Sequence, residues 1–191
     1  MPERLIRTFI AIDLPKALGK VACDLKPTVA ANPAAVKWVV EENIHLTLRF
    51  IGPTAPGELE RINGLLSDLV PRHKDFSLSI SGVGCFPKKE RPRVLWLGIG
   101  GEVNALINLV AAINSGLEQL GYPNKERDYS PHVTIGRIRY PQKVTPDVNK
   151  FLSADYPTVQ TTVVKVRLYR SDTLPSGAVY SLLKTHQLVP E

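Results

Sequence analysis

His45-Leu46-Thr47-Leu48 recurs as His132-Val133-Thr134-Ile135, 87 positions further along a chain of 191 residues. Successive residues of a strand point to opposite faces, so in each tetrapeptide the histidine and threonine share one face and the two aliphatic residues share the other. The aliphatic face belongs to a core, which leaves an imidazole and a hydroxyl side by side on the opposite surface. With 4 histidines and 11 threonines in the chain, chance alone would give about 0.2 His-x-Thr triplets. Two of them, each inside an alternating apolar pattern, therefore read as a repeated device.

Working outward from the first motif, Ile44 to Ile51 is a predicted strand. Val36 to Val40 is another, joined to it by the short polar turn Glu41-Glu42-Asn43, so the pair is expected to form a hairpin. Leu5 to Asp13 alternates as a strand, and Pro15 opens a helix that runs to about Ala31, with Pro27 disturbing its last turns. Gly57 to Leu69 places Leu59, Ile62, Leu65, Leu66 and Leu69 on one helical face. Phe76 to Val83 and Val94 to Ile99 read as strands flanking a basic loop with Lys88, Lys89, Arg91 and Arg93. Val103 to Leu120 is a second long helix, stopped by Gly121 and Pro123. Around the second motif, His132 to Ile138 is a strand, Pro146 to Leu152 a short helix, and Thr158 to Tyr169 and Ala178 to Thr185 are closing strands.

Strands arrive in adjacent pairs between helices, which predicts an α+β fold with largely antiparallel pairing. Each half carries a strand, a helix and a strand that opens on His-x-Thr. The halves are expected to pack as two lobes of a single domain spanning residues 1–191.

The chain is 43% hydrophobic and carries a net charge of +6. That suits a globular protein with a sizeable core and an anionic partner such as nucleic acid. The start has no continuous apolar run before Asp13, and no later run approaches the roughly 18 apolar residues of a spanning helix, so neither a leader nor a membrane association is expected. Cys23 and Cys85 lie far apart without metal-ligand spacing and read as reduced cysteines of a cytoplasmic protein. No cofactor or metal is implied.

An imidazole titrates near pH 6.5 and can act as base or acid at neutral pH. Opening a cyclic phosphodiester needs one of each, with hydroxyl donors such as Thr47 and Thr134 for the non-bridging oxygens. From the residues alone, His45 and His132 are either such a couple or two hydrogen-bonded strand histidines. A metal-dependent hydrolase is a further alternative, but neither motif has an acidic residue or cysteine at ligand-like spacing. His73 and His186 lack the pattern and read as surface or structural residues.

Several further segments complete a resemblance. They are Arg7-Thr8-Phe9-Ile10-Ala11-Ile12-Asp13, Phe50-Ile51-Gly52, Gly84-Cys85-Phe86-Pro87, Pro92-Arg93-Val94-Leu95-Trp96-Leu97-Gly98 and Pro131. In this order, with the paired motifs, they resemble the bacterial and archaeal RNA 2',3'-cyclic phosphodiesterases, historically called 2'-5' RNA ligases, over nearly the whole chain. The resemblance implies a bilobal fold of two sheets with outer helices, pseudo-twofold symmetry and the motifs facing each other across a central cleft. It implies His45 as proton donor and His132 as proton acceptor, and conversion of a terminal 2',3'-cyclic phosphate to a 2'-phosphomonoester. In some members RNA ends are also joined through a 2'-5' linkage, and other members of the wider superfamily are thought to bind nucleotide or RNA without turnover. The implied partner is RNA with a cyclic phosphate end or a small cyclic nucleotide; a monomer is expected. Ser130 departs from the pattern, since many relatives have histidine there, and it removes a possible third imidazole.

Four more residues are substrate-binding candidates. Arg49 shares strand parity with His45 and Thr47, which aims it either at a phosphate in the cleft or at solvent. Arg137 has the wrong parity relative to His132, but Gly136 can mark a bulge that re-aims it, and relatives often carry arginine there. Phe86, placed in a loop, and Tyr129 are candidates for stacking a terminal base, whereas Phe9 and Phe50 read as core. The basic loop is either a solvated turn or a track for the RNA backbone.

Overall fold

The computed structural model describes residues 5–125, 128–141, 143–174 and 177–190. The first four residues, on which the expected absence of a leader partly rests, lie outside them. The elements in chain order are β1 (Ile6–Asp13), α1 (Ala17–Leu25), β2 (Val36–Trp38), β3 (His45–Thr54), α2 (Leu59–Leu69), β4 (Phe76–Phe86), β5 (Val94–Gly101), α3 (Val103–Gln119), β6 (His132–Ile138), α4 (Asn149–Leu152), β7 (Val159–Val163), β8 (Lys165–Leu174) and β9 (Gly177–Gln187), with short 3₁₀ turns between them. The strands form two sheets, one in the order β3-β1-β8-β9 and the other in the order β2-β6-β5-β4-β7. Among the described residues every pairing between these strands is antiparallel, as the adjacent strand pairs in the sequence predict. No helix among the described residues is long and apolar enough to cross a membrane.

Two cores hold the sheets. Leu46 and Leu48 of the first motif join Ile10, Ile12, Val166 and Leu168 beneath Ile62 and Leu66 of α2 and Leu106, Leu109, Val110, Ile113 and Leu117 of α3. Val133 and Ile135 of the second motif join Leu95 and Leu97 beneath Leu18, Ala22 and Leu25 of α1 and Phe151 of α4. The aliphatic face of each motif is thus buried as alternation requires, and each motif strand is anchored in a different core.

That division overturns three expectations. Val36–Val40 and Ile44–Ile51 do not form a hairpin. β2 pairs with β6, with Val36 opposite Ile138, while β3 pairs with β1. Val36 belongs to the second core and Leu46 to the first, so the single turn at Glu41–Asn43 carries the chain from one sheet to the other. The segment from Thr158 to Tyr169 is not one strand either. Val163 and Val166 are both buried although three positions apart, and Val164 between them is exposed, because β7 pairs with β4 in one sheet and β8 with β1 in the other. Finally, the lobes are not the two halves of the sequence. Each sheet combines strands from both halves, and α1, which follows β1 of the first sheet, packs on the second. The first helix also ends at Leu25, with a 3₁₀ turn at Lys26–Thr28, since Pro27 cannot supply an interior helical N–H.

Candidate active site

The sheets approach each other at β3 and β6, and both strands carry an irregularity at the same place. Thr47 is opposite Ala11 and Arg49 is opposite Ile10, which leaves Leu48 as an extra residue. Thr134 is opposite Trp96 and Gly136 is opposite Leu95, which leaves Ile135 as an extra residue. A bulge of this kind shifts the alternation by one position. Up to the threonine, odd steps from the histidine face the core. After the bulge, Phe50 and Arg137 face outward and Arg49 and Gly136 face inward.

A cleft of about 400 Å³ lies between the strands, lined by His45 and Thr47 from β3, Thr134 and Arg137 from β6, and Tyr180 from β9. His132 stands two residues before Thr134 on the same face of β6. Each imidazole is held the same way, with Nδ1 2.7 Å from the backbone oxygen two residues back, Asn43 for His45 and Ser130 for His132. A carbonyl can only accept, so Nδ1 carries the proton in both rings, and Nε2 of the neutral ring is the acceptor. For His45, Nε2 lies 2.9 Å from Thr47 Oγ1, which makes the hydroxyl the donor in that state. Asn43 is itself fixed, since its side-chain amide donates to Ala178 O at 2.7 Å.

Each histidine packs against aromatic rings of its own sheet. His45 packs on Phe9, with ring centroids 5.1 Å apart, and edge-on to Tyr180 at 5.3 Å. His132 stands edge-on to Phe86 at 5.0 Å, and Phe86 leans on Trp96 at 5.2 Å. Trp96 lies across Gly84, where any Cβ would overlap the indole. Burial pushes the His45 pKa below the ordinary imidazole range; the Asn43 carbonyl opposes this, the Arg137 guanidinium adds to it, and Asp13 opposes it. The free protein therefore favours neutral His45, and an anion bound in the cleft would restore its proton.

Of the residues singled out in the sequence, His45, Thr47, Thr134 and Arg137 line one cleft, with the Ile135 bulge, next to Gly136, aiming Arg137 there, while His132 lies at the start of β6 outside that lining. Arg49 does not reach it. Only 7% exposed, Arg49 donates to Asn124 Oδ1 and to Tyr122 O on the far side of the strand, because the Leu48 bulge reverses the parity that aimed it at the cleft. The same reversal corrects Phe50, which is 43% exposed and lines the cleft. Phe9 is buried but belongs to neither core cluster, lying instead against His45, Phe50, Tyr169 and Tyr180. Phe86 is the last residue of β4 rather than part of a loop, and it packs against His132. Tyr129 is not turned to a base: its hydroxyl donates to Thr47 O at 2.9 Å, tying the approach to the second motif onto the first.

In the basic loop, Arg91 and Arg93 lie over the Tyr140 ring. His186 is buried within 3.4 Å of Ser67 Oγ, a structural placement. Among the described residues no group of three or more His, Cys, Asp or Glu is arranged to hold a metal ion. Sequence reasoning missed Tyr180 and Trp96. Tyr180 becomes part of the site only through β9, 135 residues after His45, so no local signal could have found it.

A family description, the 2'-5' RNA ligase superfamily, matches residues 33–174. An RNA 2',3'-cyclic phosphodiesterase of Methanothermobacter thermautotrophicus is 31% identical over 96% of this chain and 99% of its own length. One of Thermotoga maritima is 32% identical over 93% of each. The crystal structure of the Thermus thermophilus protein TT0787 superposes with a TM-score of 0.80 at 25% identity, covering 97% of this chain and all of that one. With two antiparallel sheets meeting at matched motif strands, and with these relatives spanning nearly its whole length, the chain belongs to the 2'-5' RNA ligase superfamily.

Proposed function

We propose that this chain is an RNA 2',3'-cyclic phosphodiesterase that opens a terminal cyclic phosphate to a 2'-phosphomonoester by acid–base catalysis between His45 and His132. The observation that carries the reading is the matched support of the two imidazoles. Each donates Nδ1–H to a backbone carbonyl, which leaves Nε2 to exchange protons with a ligand. The names of the relatives, which share most of the chain, support the substrate class.

In the proposed reaction a water oxygen bonds to phosphorus as the P–O3' bond breaks. His132, neutral at Nε2, takes the proton of the attacking water, and His45, protonated by proximity to the bound anion, gives its proton to the departing O3'. The products are a 2'-phosphate and a free 3'-hydroxyl, with the two histidines left in exchanged protonation states that solvent resets. Thr47, Thr134 and Arg137 donate to the non-bridging oxygens. Replacing water by a 5'-hydroxyl gives a 2'-5' linkage by the same transfers, so ligation is part of the proposal. So is metal independence, because two imidazoles supply both proton movements. We further propose a monomer working in the cytoplasm, where Cys23 and Cys85, both free, stay reduced.

The test is incubation of RNA ending in a 2',3'-cyclic phosphate with excess EDTA, followed by identification of the monoester. Formation of the 2'-phosphate at the rate seen without chelator is expected. A 3'-phosphate would reverse the assignment of the leaving oxygen, activity lost on chelation and restored by zinc or magnesium would remove metal independence, and binding without turnover would make the protein a binding module.

A further inference from the structure

Two troughs leave the cleft on either side of Tyr180, and both share Asn43 and Tyr180 with it. Their charge differs. The first, about 510 Å³, is bordered by the carboxylates of Asp13, Glu41 and Glu42 as well as by Lys16 and Arg167. The second, about 620 Å³, runs along β2 and the end of β6 and is bordered by Lys37, Arg137 and Arg139, with no carboxylate among its described residues. The first path is of nearly balanced charge, with Asp13 paired to Arg167, and the second offers cations alone among its described residues, so a polyanion entering the cleft is drawn to the second.

The second trough also has a local reason to take an anion. Lys37 and Arg137 are directly opposite each other in the β2–β6 register, and both are exposed. Like charges opposed across a strand pair repel, and neither residue has an ion-pair partner among the described residues. An anion seated between them relieves that repulsion. The Lys37 ammonium reaches over to β9, 3.6 Å from where a Cβ on Gly177 would stand, so it spans the gap between the two sheets at the trough's mouth. Arg137 borders both cleft and trough, and a series of cations therefore begins beside His45 and continues along the trough with Lys37 and Arg139. Val39, Val40 and Val179 supply an apolar margin.

We infer that this second trough carries the RNA strand on the 5' side of the terminal nucleotide, with Lys37 and Arg139 holding backbone phosphates, so that the enzyme prefers oligonucleotide ends to free cyclic mononucleotides. The inference rests on the proposed opening of a terminal cyclic phosphate in the cleft. It adds a direction to that reading, because only the 5' side of such an end continues into chain.

The experiment compares a 2',3'-cyclic mononucleotide with a short RNA ending in the same cyclic nucleotide, in wild type, Lys37→Glu, Arg139→Glu and Lys16→Glu. Wild type turns over both and prefers the RNA. Lys37→Glu and Arg139→Glu lower kcat/KM on the RNA by about tenfold or more at low salt and flatten its salt dependence, while mononucleotide turnover stays within twofold in Arg139→Glu and falls clearly less than RNA turnover in Lys37→Glu, whose new carboxylate faces Arg137. Lys16→Glu, on the other trough, leaves both unchanged. Equal losses on the two substrates, no loss on RNA, or a selective RNA loss in Lys16→Glu each overturn the assignment of the path. Failure of wild type on both substrates instead removes the underlying phosphodiesterase reading. In that event the path is judged by anisotropy binding of an oligonucleotide ending in a 2'-phosphate, which Lys37→Glu must weaken if the trough holds RNA and leaves unchanged if it does not.

Discussion

β3 and β6 carry the same tetrapeptide pattern and the same bulge at its fourth residue, yet they present different groups to the cleft. Beyond the bulge, β3 turns Phe50 outward and buries Arg49, while β6 turns Arg137 outward and buries Gly136. Past the bulge β3 therefore presents an aromatic ring, with Phe50 stacked on Phe9 at 5.6 Å and the Arg7 guanidinium over its face, whereas β6 presents a cation of its own. The backbone repeats the geometry of the imidazoles, and the side chains past the bulge break the symmetry. A cyclic phosphodiester is itself asymmetric, with one oxygen leaving and one staying, so a site that distinguishes them needs such a difference.

The largest expected effect falls on what the strands share. His45→Ala and His132→Ala should each lower kcat/KM by roughly 10²–10⁴-fold with unchanged circular dichroism, since each removes one proton-transfer partner. Losses under about fivefold in both would return the pair to structural status.

The arginines test what the strands do not share. Arg137→Gln should lower kcat/KM roughly tenfold to hundredfold with little change in urea midpoint, because it removes a donor from an open cleft. Arg49→Met should do the reverse, costing about 1–3 kcal/mol of stability as Asn124 Oδ1 and Tyr122 O lose a charged donor, with near-normal turnover of the folded enzyme. Steady-state kinetics paired with urea melts on both variants decides it, and matching profiles would erase the distinction between the strands.

Thr47→Val and Thr134→Val should each cost about tenfold in kcat/KM, less than the histidines, because they remove hydroxyl donors without touching proton transfer. Wild-type kinetics from the double variant would make both threonines structural.

The pH profile offers a finer reading. His45 must be protonated and His132 neutral, so kcat/KM against pH should be bell-shaped, its two limbs belonging to the coupled pair. Burial and the nearby Arg137 hold His45 low, and a bound phosphate favours its charged form. The alkaline limb should therefore lie at higher pH in kcat than in kcat/KM. Arg137→Gln removes a cation that lowers His45, so the kcat/KM profile as a whole should move to higher pH in that variant. A flat profile from about pH 5 to 9, with chemistry rate-limiting, would be incompatible with the couple. The smallest effect is expected from Tyr129→Phe, which deletes the hydrogen bond to Thr47 O and should cost about 1 kcal/mol of stability with turnover within threefold.

Some of this is legible without coordinates because it depends on neighbours in the chain. Alternation alone pairs His45 with Thr47 and His132 with Thr134 and turns Leu46, Leu48, Val133 and Ile135 to a core, since opposite faces of a strand are fixed by the backbone of that strand. Helical spacing likewise locates α2 and α3. Arg49, Phe50 and Tyr129 are misread from sequence, and the hairpin and the long strand through Val164 are wrongly joined, for one common reason. Register, bulges and sheet membership belong to pairs of strands, and a bulge at Leu48 exists only relative to Ala11 and Ile10 of β1. Which partner a strand takes is decided by which core receives its apolar face, and that choice, like the arrival of Tyr180 beside His45, is settled only when the whole chain has packed.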